Sequence, residues 1–206
     1  MSFTSLKIND EGVLLFALHE QRFRNAGEEA VSAYHQFAAI AEPGTYALKW
    51  DNNTMIVAPR GESLLFDGMP VRYRVSPLVD IKNRISKTAQ PNIYTNLREP
   101  GITTLLTSAD GTEIYESCMA SVIAWNGKQI VMVPADRPGV RSTMEELLKQ
   151  MPGVVEEPIL VASDYPIALV NAVKCTCTLY IEGREPFPVE QLEKIREFYL
   201  ATARRA

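Results

Sequence analysis

Between Pro43 and Pro77 the chain is a run of short strand-like segments, YALKW, TMIVA, SLLF and VRYRV, broken by Asp51-Asn52-Asn53 and Asp67-Gly68. Asn and Gly accept the left-handed backbone that a tight hairpin needs, so these breaks predict antiparallel pairing and exclude an all-helical bundle. Upstream, FTSLKI (3–8) alternates as a strand, and NDEG follows it as a turn. VLLFALHEQRFRNA then carries a second short strand and a helix opening near Leu18. That helix is predicted to continue through GEEAVSAYHQFAAIA and to stop at Glu42-Pro43-Gly44. Beyond Pro77 the strand-like segments are more apolar: ITTLLTS, SVIAW, QIVMVP, LVASD and CTCTLYI. Two further helices are predicted, STMEELLKQM (142–151) and the C-terminal VEQLEKIREFYLATARRA, with apolar positions 189, 192, 195, 198 and 199 on one stripe. The expectation is an α/β (α+β) chain in two domains, a small one over 1–76 and a larger one over 77–206.

Composition narrows the function. The 206 residues are 46% hydrophobic, enough for one sizeable core or two small domains sharing a groove. A formal net charge of −4 without a basic stripe argues against nucleic acid as a partner. No stretch of apolar residues reaches membrane-spanning length. MSFTSLKIND lacks the basic and apolar regions of a secretory signal, and three cysteines suit a reducing compartment, so a cytoplasmic location is expected. Cys175 and Cys177 read as small apolar residues on one face of a strand. Only Cys118 and two histidines could complete a zinc site with them, so no metal is expected. Glycine-rich dinucleotide loops, a Walker-type loop and a Gly-x-Ser-x-Gly elbow are all missing from the sequence.

A set of spacings remains. His19 and Arg22 stand three apart, on one face of the first helix. Lys82 sits in DIKNR. Glu116 lies near the start of YESCMASVIAWNGKQIVMVP, a hairpin turning at Asn126-Gly127, and ADRPGVRSTMEEL then opens a helix. At these residues the sequence resembles the class IV pyridoxal 5'-phosphate (PLP) enzymes: D-amino-acid and branched-chain aminotransferases and 4-amino-4-deoxychorismate lyase. The lyase branch is the nearest in motif. The resemblance runs from about Phe3 to about Leu179. ALHEQRFRNA is similar to the family's His-x-x-Arg-Leu helix, which implies that Arg22 grips the cofactor phosphate. DIKNR resembles the segment whose lysine bonds covalently to the cofactor, which gives Lys82 that role. Glu116 falls on the glutamate that contacts the pyridine nitrogen, and its interval from Lys82, 116 − 82 = 34, is about the family's. Ser121 stands where the family has asparagine. Ser142 and Thr143 fall in the phosphate-binding loop, usually Gly-Ile-Thr-Arg and here Ser-Thr-Met-Glu, and Asn171-Ala172 in LVNAV falls at a strand end that faces the cofactor. The resemblance implies PLP as cofactor, a small amino substrate and a homodimer. With the first motif strand at the start of the sequence and 82 − 22 = 60 residues from Arg22 to Lys82, a shortened N-terminal domain beside the cofactor-binding one is expected.

Each of these residues also has a plainer reading. Lys82 can be a surface lysine paired with Asp80, and a lysine that attacks a carbonyl must instead be neutral, which needs burial or a cationic neighbour such as Arg84. Glu116 can be an exposed strand-end carboxylate; beside a pyridine nitrogen it would keep the ring protonated. Arg22 can lie on a solvated helix face with Glu20, Arg24 and Glu28, although its planar fork suits a phosphate. Ser142-x-x-Glu145 and Thr143-x-x-Glu146 both read as capping boxes, and His19 reads as a packing residue. Arg60-Gly61 resembles a family turn over the substrate. Three functional readings stay open: a lyase releasing pyruvate and 4-aminobenzoate from aminodeoxychorismate, an aminotransferase, and a non-catalytic member of the same fold.

Overall fold

The computed structural model describes residues 2–61, 63–81, 84–85, 94–140 and 142–204. They fall into two compact units, Met1–Ser63 with Arg196–Ala206, and Leu64–Ile195. The sequence places a boundary later, at Pro77, and gives the C-terminal residues to the second domain.

The first unit contains β1 (Ser2–Asn9), β2 (Gly12–Val13), α1 (Phe16–Arg24), α2 (Glu28–Ile40), β3 (Gly44–Asp51) and β4 (Thr54–Pro59). Its sheet runs β2-β1-β3-β4 and every pair is antiparallel. The β3–β4 hairpin turns at Asn52 and Asn53, with φ of 48° and 57°, as the turn chemistry predicts. The single helix expected from Leu18 to Ala41 is two helices. Asn25 ends the first, and Gly27, at φ 111°, opens the second from a backbone region that a side chain disfavours. Alternate residues of β1 and β3 (Leu6, Ile8, Leu48, Trp50) face the two helices and pack on Phe16, Phe23, Val31 and Tyr34. The Phe23 and Tyr34 rings stack with centroids 5.3 Å apart, and the Tyr34 hydroxyl donates to the Phe16 carbonyl at 3.2 Å.

The second unit contains β5 (Met69–Val75), β6 (Arg84–Ile85), β7 (Thr103–Thr107), β8 (Glu113–Ser117), β9 (Ser121–Trp125), β10 (Ile130–Met132), β11 (Gly139–Val140), α3 (Thr143–Leu148), β12 (Val154–Glu156), β13 (Ile159–Leu160), β14 (Ile167–Asn171) and β15 (Cys175–Tyr180). The last helix, α4 (Val189–Leu200), spans the division at Ile195. Among the described residues nine strands form one sheet in the order β12-β10-β9-β14-β15-β5-β7-β8-β13. The sheet is curled. Its strands contribute a core of Met69, Leu105, Ile114, Val122, Val131, Ile159, Leu169 and Cys177.

Several expectations change here. SLLF forms no strand, and LVASD contributes only its leucine, to β13. Asp67-Gly68 does not close a hairpin. Strand β5 runs parallel to both β15 and β7, because its partners come from distant segments rather than from its sequence neighbour. Asp67 nonetheless ties the turn to β15, since its carboxylate accepts the Thr178 amide at 2.9 Å. Cys175 and Cys177 are both buried free thiols, and burial pushes the Cys177 thiol up to about 11. On α4, Leu192, Ile195 and Tyr199 are buried as the stripe predicts, while Val189 is exposed. The mixed α/β fold anticipated from the sequence is the fold observed.

Candidate functional site

Glu116 organises the second unit. Strand β8 pairs with β7 as Thr107↔Ile114, Leu106↔Glu116 and Leu105↔Ser117, so Tyr115 is an extra residue, a bulge. Without it, Ile114 and Glu116, two apart, would share a face. With it, Ile114 joins the main core, and Glu116 turns to the face where Leu106 packs with Leu78, Tyr94 and Cys118. The Glu116 side chain is buried there, 4% exposed. The Val140 amide of β11 donates to both of its oxygens at 3.1 Å, and the Tyr94 hydroxyl donates to Oε1.

A carboxylate in apolar surroundings favours its protonated form unless donors hold the charged one. Two segments distant in sequence supply those donors here. The loop that carries Val140 is anchored again at Arg137, whose Nε donates to Glu113 Oε2 at 2.8 Å.

Lys82 lies outside the described residues. The described residues on either side of it belong to this same region. Ile81 packs against the Leu78–Tyr94–Leu106–Cys118 cluster. Arg84–Ile85 pairs in parallel with Gly139–Val140, the strand whose amide holds Glu116.

The remaining expected residues of this unit stand at adjoining strand and helix ends. Ser121 begins β9, is buried, and pairs with Val170 of β14. Asn171 ends β14; its side-chain oxygen accepts the Val173 and Lys174 amides at 3.0 and 2.7 Å and shapes the turn into β15. Ala172 follows, buried. Ser142 caps α3, with Oγ accepting the Met144 amide at 3.2 Å, so the capping role is realised at that position. Thr143 and Glu145 are buried, and Glu146 points to solvent. Helix α3 packs against β14, which brings the Ser142-Thr143 cap and the Asn171-Ala172 turn onto neighbouring elements.

His19 and Arg22 belong to the first unit, on α1, which opens from Leu15 in the left-handed region at φ 58°. His19 is fully buried and shares a 2.7 Å hydrogen bond with Thr4 Oγ1 through Nδ1. Its Nε2 has no partner among the described residues. Burial, reinforced by the Arg22 charge, pushes its pKa down to about 3, so the imidazole is neutral. Arg22 is half-buried, and its carbonyl accepts the Ser2 hydroxyl at 3.1 Å. Arg60, at the end of β4, donates to Ser5 Oγ at 2.8 Å.

Tyr94 escaped sequence reasoning. Its only signal is an aromatic residue inside the polar stretch QPNIYTNLREP, and its bond to Glu116 spans 22 residues. The described residues contain no cluster of three or more His, Cys, Asp or Glu able to hold a metal, and no helix long and apolar enough to cross a membrane.

No protein-family model and no curated protein matches the sequence. Solved structures do match the fold. A 4-amino-4-deoxychorismate lyase from Pseudomonas aeruginosa superposes with a TM-score of 0.64 at 14% identity, over 95% of this chain and 88% of that one. An aminotransferase from Brucella abortus bound to PLP gives 0.67 at 11%, over 98% and 88%. A hypothetical aminotransferase from Mycobacterium tuberculosis in its PLP-bound form gives 0.63 at 17%, also over 98% and 88%. At such identities the likeness establishes the fold alone: this chain is folded as the class IV aminotransferases and aminodeoxychorismate lyases are.

Proposed function

We propose that this protein is a PLP-dependent class IV enzyme acting on a small amino substrate, with aminodeoxychorismate lyase as the first reading and branched-chain or D-amino-acid aminotransferase as the alternative. One observation carries the reading: in this fold the sequence-selected glutamate is buried as a hydrogen-bonded carboxylate among the residues that flank Lys82. That donor set suits the ring-nitrogen end of PLP, since a carboxylate kept ionised can accept the ring N–H. When bound, the cofactor supplies an electron sink for charge developing at the substrate α-carbon.

The chain's own groups divide the remaining work. Lys82 would hold the cofactor covalently, and its amine would serve as the base that moves the substrate α-proton. Glu116 orients the ring and keeps its nitrogen protonated. Ser142 and Thr143 would supply phosphate contacts, and Ser121, Asn171 and Ala172 would line the cofactor's surroundings. The protein acts as a homodimer, which sedimentation tests.

Incubation with PLP should produce a visible absorption band that Lys82→Ala abolishes and Lys87→Ala, at the other lysine of the segment, retains. Wild-type protein that remains colourless overturns the reading. Release of 4-aminobenzoate from aminodeoxychorismate without a keto-acid acceptor supports the lyase; activity only with an acceptor supports the aminotransferase.

A non-catalytic protein on the same fold is the second reading, and a specific observation favours it. Glu116, Ser142 and the Asn171 carbonyl all bond to the chain itself. A colourless wild type, unchanged by Lys82→Ala, decides for it.

A further inference from the structure

We infer that Tyr94 is the positioning residue for Glu116: its phenol holds the carboxylate ionised and aimed for the cofactor's ring nitrogen. The inference rests on the PLP reading above and adds to it a residue that no motif assigned. Tyr94 is 7% exposed and packs with Leu78, Leu106 and Cys118, so its ring is fixed by apolar contacts while its hydroxyl donates to Glu116 Oε1. The Val140 amide approaches both oxygens equally, at 3.1 Å each. That amide alone would leave the two oxygens alike. The phenol distinguishes them by loading Oε1 with a second donor.

The chemical consequence concerns which partner can act as donor. A buried glutamic acid that regains its proton becomes a donor itself, accepts a ring N–H only as a neutral and weaker partner, and no longer supplies the charge that keeps a ring nitrogen protonated. A phenol donor counters that by stabilising the charged form, and a hydrogen bond to a charged group is worth more than a neutral one. Val140 adds a mechanical link, because it lies two residues before Ser142. The carboxylate for the ring end and the cap assigned to the phosphate end are therefore tied through one short segment.

The test compares two ligands in wild-type protein and in Tyr94→Phe: PLP, and its analogue with a carbon in place of the ring nitrogen. The analogue cannot engage Glu116 and so reports everything except this effect. Tyr94→Phe should weaken PLP binding about tenfold, the size of one charge-assisted hydrogen bond, and change analogue binding by less than about twofold. In a Glu116→Gln background, the same substitution should produce no further selective loss. Equal losses for both ligands would make Tyr94 a merely structural residue and overturn the inference, as would no loss for either, or a selective loss that persists in Glu116→Gln. Should Tyr94→Phe melt at the assay temperature, the comparison moves to Glu116→Gln alone, where an undiminished preference for PLP over the analogue overturns it. Wild-type protein that binds neither ligand removes the PLP reading, and this inference with it; wild-type protein that binds PLP confines any failure to the inference.

Discussion

Each of the two compact units buries an ionisable side chain within a chemically suggestive motif, His19 in one and Glu116 in the other, and they treat it in opposite ways. In the first unit His19 is stripped of water, held by Thr4 on one nitrogen, and kept neutral. In the second, Glu116 is equally enclosed but is met by donors from β11 and from Tyr94. The difference lies in where partners can come from. Helix α1 and strand β1 offer His19 a packed interface with one hydroxyl. The segments around Glu116 offer the Val140 amide and a phenol, which a carboxylate can use. Burial removes the charge from His19, whereas Glu116 is met by donors of the kind that stabilise a carboxylate.

Replacing the carboxylate breaks that contrast most severely. Glu116→Leu leaves the Val140 amide and the Tyr94 hydroxyl without this acceptor in an apolar setting, and should cost on the order of 3 kcal/mol in urea unfolding of the cofactor-free protein. A loss below about 1 kcal/mol would mean that those donors have ready substitutes.

Acid tests the other half. His19 titrates at about 3 when folded against 6.5 as its ordinary value, so only the unfolded chain binds its proton between these limits. Its contribution is complete above 6.5 and drains away as the pH falls towards 3. Between pH 7.5 and 5 the loss should reach about 2 kcal/mol, and His19→Gln should flatten that part of the stability profile. An unchanged slope in His19→Gln would assign the acid sensitivity to other groups.

Smaller effects sharpen the picture within the second unit. Tyr94→Phe should destabilise the cofactor-free protein by about 1.5 kcal/mol, since one donor to a buried carboxylate is lost while the ring packing persists. Ser142→Ala should cost about 1 kcal/mol, the usual worth of a helix N-cap, measured by the same unfolding curves. If it weakens PLP binding more than it lowers stability, the hydroxyl serves the phosphate as well as the cap.

Much of the local architecture was legible beforehand. The β3–β4 hairpin follows from Asn52-Asn53, and β9–β10 follows from Asn126-Gly127, where the Asn126 side chain accepts the Lys128 and Gln129 amides at 3.0 and 2.8 Å. Such turns are governed by the φ preference of one or two residues, which the sequence states directly. The break at Gly27 was present in the letters too, but the apolar pattern on both sides hid it. The parallel pairing of β5 left no local mark, because Asp67-Gly68 is a turn in either topology.

The amino-acid order by itself determined the alternation of strands and helices, the hairpin turns and the capping serine, and its resemblance to the class IV motifs singled out Glu116 as a candidate. Those properties are set within a few residues, or by a motif's internal distances. Tertiary structure alone decided which face Glu116 presents and what meets it there. One extra residue at Tyr115 reverses the strand's alternation, and the donors arrive from 22 and 24 residues away. Chain closure over such distances is selected by the free energy of the whole core, so no local pattern of residues encodes it.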